Sequence, residues 1–158
     1  MSRGESRVGA VTTEDATRRA AALADMLRES LAQDGQWIRV AGGSSMGDGL
    51  PSGSRVRVVP LLGPPSRGEL LVFVLPERLE LCCHRVERRG PAGRCLTRGD
   101  GKPAADGWIE PRHFVGRAAA FRTGGRWYDA SSGIRPGVLR RGIHRLRRAI
   151  ERRISAER

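Results

Sequence analysis

The chain has 158 residues, 29 basic against 17 acidic, with a formal net charge of +12 and three cysteines. That length suits one domain with its own core and argues against a second. The charge invites an anionic partner, yet one Tyr, three Phe and three Trp offer few stacking platforms for a nucleic-acid strand.

No apolar window approaches the roughly eighteen residues of a transmembrane helix, and segment 1–10 lacks the apolar centre of a secretory signal. Two of the three cysteines are adjacent, Cys82 and Cys83, which makes a poor disulfide framework and fits a reducing cytoplasm. Cys82-Cys83-His84 with Cys95 is not spaced like a zinc site. No metal and no cofactor is expected.

In chain order, residues 1–12 read as disordered. Thr13-Glu14-Asp15 starts a helix, with Thr13 as N-cap and acidic residues in the first turn. Ala20, Leu23, Ala24, Leu27 and Leu31 then recur on one face until Asp34-Gly35 ends the helix, giving bounds of 13–34. A single amphipathic helix does not make a helix-turn-helix. Within a domain spanning 13–128, residues 36–121 switch to short β-type runs at 37–40, 56–62, 69–75, 79–86, 94–97 and 114–121. Gly- and Pro-rich turns separate them. The expected fold is mainly β (α+β): a compact, mostly antiparallel sheet or barrel with an N-terminal helix. The run 69–75 is almost wholly apolar, as a strand buried on both faces would be.

After Tyr128 a loop leads to a second helix from about Gly137 to Ser155, in a basic amphipathic segment bounded at 137–157. Leu139, Ile143, Leu146, Ile150 and Ile154 form an apolar stripe, opposed by seven arginines. Three roles stay open for it: packing on its own domain or a partner, lying on an anionic membrane surface, or touching nucleic acid. The last is disfavoured, because nothing else in the chain resembles a base reader.

Between the first two strand candidates lies Gly42-Gly43-Ser44-Ser45-Met46-Gly47-Asp48-Gly49-Leu50, a glycine-rich turn bearing two hydroxyls. As a turn it needs no further purpose. As a site it needs a base, because a serine hydroxyl is a weak nucleophile near neutral pH. Three histidines are available. His144 falls on the basic segment, and His113 follows Glu110-Pro111-Arg112 in what reads as an exposed turn. His84 ends an apolar strand and is the better candidate. A carboxylate that holds its tautomer would complete a triad. Asp100 and Asp106 both stand in the polar stretch Thr97-Arg98-Gly99-Asp100-Gly101-Lys102-Pro103-Ala104-Ala105-Asp106-Gly107.

In order and phrasing these pieces resemble the type I signal peptidases, and most closely the branch with a Ser-His-Asp site. Gly43-Ser44-Ser45-Met46-Gly47-Asp48-Gly49-Leu50 through Val56 is similar to that family's nucleophile box without a gap. Arg67-Gly68-Glu69-Leu70-Leu71-Val72-Phe73 is similar to its second box, and His84-Arg85-Val86 to its third. Leu96-Thr97-Arg98-Gly99-Asp100, with Asp106 six residues on, is similar to its aspartate box. Val115-Gly116-Arg117 is similar to the box that closes its domain.

The resemblance implies a signal-peptidase or LexA-like β-rich catalytic domain. Ser45 would be the nucleophile and His84 the general base, with Asp106 the orienting acid and Asp100 its support or substitute. The Ser45 N–H and the neighbouring Gly43 and Ser44 would flank the oxyanion, and Met46 would line the substrate groove. A lysine-based branch and the self-cleaving repressor-type proteases place lysine where His84 stands, whereas Lys102 lies in the aspartate loop. Three positions depart from the pattern: Asp48 replaces a proline, Ser54 an aspartate, and Gly43 a serine that often donates to the oxyanion. Losing one such donor costs about a hundredfold in rate. No membrane anchor is expected either. The implied protein is a soluble cytoplasmic serine endopeptidase acting on a peptide or precursor protein, such as the leader of a ribosomally made precursor. The alternatives are a weakened protease fold that only binds peptides, or a membrane-surface or nucleic-acid binder acting through the C-terminal helix.

Overall fold

The computed structural model describes residues 12–130. The expected disordered terminus falls almost wholly outside these residues. The basic helix at 137–157, with His144, lies outside them too.

Helix α1 spans Thr13–Asp34. Its N-cap is Thr12, one residue earlier than expected: Thr12 is extended, and its Oγ1 accepts from the Asp15 N–H at 3.2 Å. Gly35 closes the helix at φ 74°, and its N–H donates to the Leu31 carbonyl. The periodic face packs inward, with Ala20, Ala24 and Leu31 buried and Leu23 and Leu27 partly so.

Eight strands follow: β1 (Trp37–Val40), β2 (Arg55–Val59), β3 (Leu70–Leu75), β4 (Glu80–Arg89), β5 (Cys95–Arg98), β6 (Gly107–Ile109), β7 (Phe114–Thr123) and β8 (Arg126–Asp129). Every pairing is antiparallel, in the order β1-β2-β7-β3-β4-β5-β6, with β8 also on β7. Among the described residues the fold is therefore β-rich α+β, with one sheet and one α-helix. β6 and β8 are absent from the sequence-based expectation. β6 has three residues, too few to show a period, and all four residues of β8 are exposed, so neither carries an apolar alternation.

Two long strands bend the sheet. β4 pairs with β3 through Glu80–Arg85 and with β5 through Arg85–Arg89, with a register shift between Val86 and Arg88. β7 pairs with β2 along one edge, and with β3 and then β8 along the other. The buried run of β3 supplies two cores by alternation. Leu70, Val72 and Val74 join the core beneath α1, while Leu71 and Phe73 meet Val86, Cys95, Ile109 and Phe114. Gly116 lets the helix come this close to the sheet: a side chain there would overlap the Val59 carbonyl and Leu31.

His113 is not exposed. It is buried at the start of β7, and its Nε2 donates to the Thr17 carbonyl at 3.3 Å. Burial pushes its pKa down, so the imidazole stays neutral and ties α1 to the turn before β7. The tripeptide Glu110-Pro111-Arg112 is exposed, but the helix covers His113 at its end.

Candidate active site

The turn between β1 and β2 is built by close backbone contacts. Gly47 N–H donates to the Ser44 carbonyl at 2.9 Å, and Gly49 N–H to the Met46 carbonyl at 3.0 Å. Gly43 takes φ 73°, in the left-handed region that favours glycine. These turns leave Ser44 exposed, Ser45 half-buried and Met46 buried.

A second loop, between β5 and β6, clamps the first. Gly101 N–H donates to the Ser45 carbonyl at 2.9 Å, and Asp100 N–H approaches Met46 Sδ at 3.4 Å. Gly99 lies so near Ser45 that a methyl group there would overlap the serine carbonyl. The glycines of the aspartate loop thus determine where the serine sits.

His84 is positioned by the register of β4, directly opposite Leu71 of β3, with Phe73 edge-on at 6.0 Å between ring centroids. Its Nε2 lies 2.9 Å from Ser45 Oγ, and its Nδ1 lies 2.7 Å from Asp106 Oδ2. Asp106 is anchored at both ends. Its N–H donates to the Thr97 carbonyl at 2.8 Å, and its Oδ2 also accepts from Thr97 Oγ1 at 2.9 Å. Lys102 Nζ approaches Oδ1 at 3.3 Å. Burial alone would raise the Asp106 pKa. The hydrogen bond and charge of His84, with the hydrogen bonds from Thr97 and Lys102, outweigh it and hold the carboxyl below its ordinary value.

Of the two candidate carboxylates, Asp106 is the one bonded to the imidazole. Asp100 is held in a fork by Arg85, Nε to Oδ1 at 2.9 Å and Nη2 to Oδ2 at 2.8 Å, while Arg85 Nη1 donates to the Gly68 carbonyl at 2.6 Å. This part-buried pair ties β4 to the aspartate loop and turns Asp100 to bracing that loop, in place of the supporting role to His84 suggested for it. Lys102 likewise lies against Asp106 and not at the serine.

The serine opens onto a cleft of about 320 Å³. One wall is β1 with the turn after it, including Val40, Ala41 and Gly43; the other is the first half of β4 from Glu80 to His84. Met46, Leu50, Val56, Val58 and Val72 complete an apolar lining. Cys82 and Cys83 also face the cleft, but burial, reinforced by Glu80, pushes the Cys82 thiol up to about 11, and burial pushes Cys83 up to about 12. Both stay protonated near neutral pH, which makes them poor nucleophiles.

Ser45, His84, Asp106, Met46 and Gly43 thus converge, Ser44 points to solvent, and Asp100 serves through Arg85. Thr97, Arg85, Gly99 and Gly101 had no role in the sequence reading. The Gly-x-Gly spacing of 99–101 was the one local hint of a close approach. Among the described residues no three His, Cys, Asp or Glu side chains gather to hold a metal ion, and no helix is long and apolar enough to cross a membrane. No family model matches the chain, and no curated protein matches it either.

Proposed function

We propose that this chain is a serine endopeptidase of the signal-peptidase type, with the LexA-like catalytic fold of that group, cleaving an extended peptide through Ser45, His84 and Asp106. The observation that carries the reading is the continuous relay Ser45 Oγ–His84 Nε2–His84 Nδ1–Asp106 Oδ2, at 2.9 and 2.7 Å, at the mouth of an apolar cleft. Asp106 receives the Nδ1–H, which leaves the Nε2 lone pair facing the serine. As Oγ attacks a peptide carbonyl, its proton passes to Nε2, and the carboxylate stabilises the imidazolium that forms. His84 then returns the proton to the leaving amine, and water, deprotonated in the same way, releases the acyl group. The Ser45 N–H would meet the oxyanion. The edge of β1 faces the cleft, so the substrate would bind as an added strand, its side chains directed alternately into the apolar lining. A soluble cytoplasmic enzyme with a dedicated precursor peptide fits this reading.

A weakened, peptide-binding version of the same fold has one observation in its favour. Gly43 faces the cleft with no side chain, where the related enzymes often supply a hydroxyl donor. Incubation with a synthetic peptide pool, with products read by mass spectrometry, separates the two. The endopeptidase should produce discrete cleavages that vanish in Ser45→Ala and in His84→Ala, each variant remaining folded by circular dichroism. Cleavage by Ser45→Ala at the wild-type rate overturns the reading; peptide retention without products in the wild type leaves the binding module.

A further inference from the structure

The outer face of β1, β2, β7 and β8 is a surface that the proposed chemistry leaves unused. Alternation and register place Ile38, Val40, Arg55, Arg57, Arg122 and Trp127 together on it: Ile38 pairs with Arg57, Val40 with Arg55, Arg55 with Arg122, and Arg122 with Trp127. All six are exposed, Val40 at 69% and Trp127 at 49%. Ala120, between Arg57 and Asp129, is small enough for Arg57 to reach across it, and the guanidinium lies 5.9 Å from the Trp127 ring centroid. Arg117 adds a fourth cation where β7 meets β3, and Asp129 sets one carboxylate against them. Among the described residues none of these four arginines forms an ion pair. Arg122 Nε is engaged by the Gly125 carbonyl at 3.2 Å, which fixes its side chain without neutralising it.

We infer that this face is an exosite for an acidic, extended segment of the peptide substrate. Two observations select that occupant. The face is strongly cationic with aliphatic residues interleaved, complementary to a strand that alternates carboxylates with apolar side chains. It is also continuous with the cleft, because Val40 belongs to both. A peptide leaving the cleft at β1 passes directly onto Arg55. A nucleic-acid strand fits less well, since the face has one exposed indole and Arg57 already covers it. The inference rests on the peptidase reading for the identity of the cleft's occupant, but the binding it predicts does not require turnover.

The test is fluorescence anisotropy on the full chain, using a labelled extended peptide of alternating Glu and Leu and the same peptide with Gln for Glu. Wild type and Ser45→Ala should bind the Glu peptide alike, and at least about tenfold tighter than the Gln peptide, with affinity falling as salt rises. The Arg57→Glu/Arg122→Glu double variant should lose that preference about tenfold, while Arg18→Glu/Arg19→Glu on α1 should keep it. If the reversal does not fold by circular dichroism, Arg57→Gln/Arg122→Gln replaces it. Equal affinity for the two peptides, or a reversal at the sheet with no effect, overturns the exosite. So does a reversal that abolishes binding of oligothymidylate or phosphatidylserine vesicles while the Glu peptide stays unbound. Loss of cleavage with the Glu preference intact would instead count against the peptidase reading alone.

Discussion

The clamp between the two loops can be tested without touching any group of the relay. A Cβ on Gly99 would lie 2.9 Å from the Ser45 carbonyl carbon and 3.2 Å from its Cβ, where ordinary contact begins near 3.4 Å. Gly99→Ala therefore requires the serine peptide to retreat by about half an ångström, or by more at the carbonyl oxygen. Since Ser45 Oγ now lies 2.9 Å from His84 Nε2, that retreat takes it past the reach of about 3.2 Å for a working nucleophile–base pair. Misplacement by 1 Å costs on the order of a hundredfold, so kcat/KM should fall roughly tenfold to a hundredfold. Overpacking should lower stability by about 1–3 kcal/mol. The assay is cleavage of the best peptide from the pool, with urea unfolding in parallel. Gly42→Ala is the control, because a Cβ there meets nothing within 4 Å. If Gly99→Ala retains wild-type turnover and stability, the aspartate loop does not position the serine.

Other predictions follow from the same contacts. Thr97→Val keeps the shape of a fully buried side chain but removes its hydrogen bond to Asp106 Oδ2, and should cost about 1–3 kcal/mol in urea unfolding with a smaller loss of turnover than Asp106→Ala. Asp100→Ala leaves the part-buried Arg85 without its forked partner and should destabilise by about 3 kcal/mol; the double variant Arg85→Met/Asp100→Leu should lose less, which a double-mutant cycle reads directly. His113 has a folded-state pKa below its unfolded one. The unfolded chain therefore takes up the proton first as pH falls, and stability present above the unfolded value is lost as pH drops toward the folded value. Unfolding curves from pH 8 to pH 5 should show that decline, and His113→Gln should flatten it. Asp106 has the same sign at lower pH: its stabilising contribution is full above its unfolded pKa, within the ordinary carboxylate range, and is lost as pH falls through the depressed folded value.

Local chemistry in the chain was enough to announce α1, the apolar β3 and the glycine-rich serine turn. Helical spacing, an uninterrupted apolar run and glycine's conformational freedom are properties of neighbouring residues. The same reasoning failed where the decisive neighbour is distant in sequence. β8 is exposed throughout and exists because β7 offers it an edge, and His113 looked like surface because α1, which buries it, lies some hundred residues earlier.

The candidate site divides along the same line. From residue order and the family resemblance came Ser45 over Ser44, and His84 over His113 and His144. The resemblance put Asp106 ahead of Asp100, but local chemistry alone does not choose between them, because both sit in one polar loop with equally good turn chemistry. Only the folded sheet makes the choice. Arg85, next to His84 on β4 but pointing to the opposite face, captures Asp100, and Thr97 on β5 holds Asp106 against the imidazole. Sequence by itself named the chemical groups and their order along the chain; which of them touch depends on strand register, since one step along β4 separates the residue that meets Asp106 from the residue that meets Asp100.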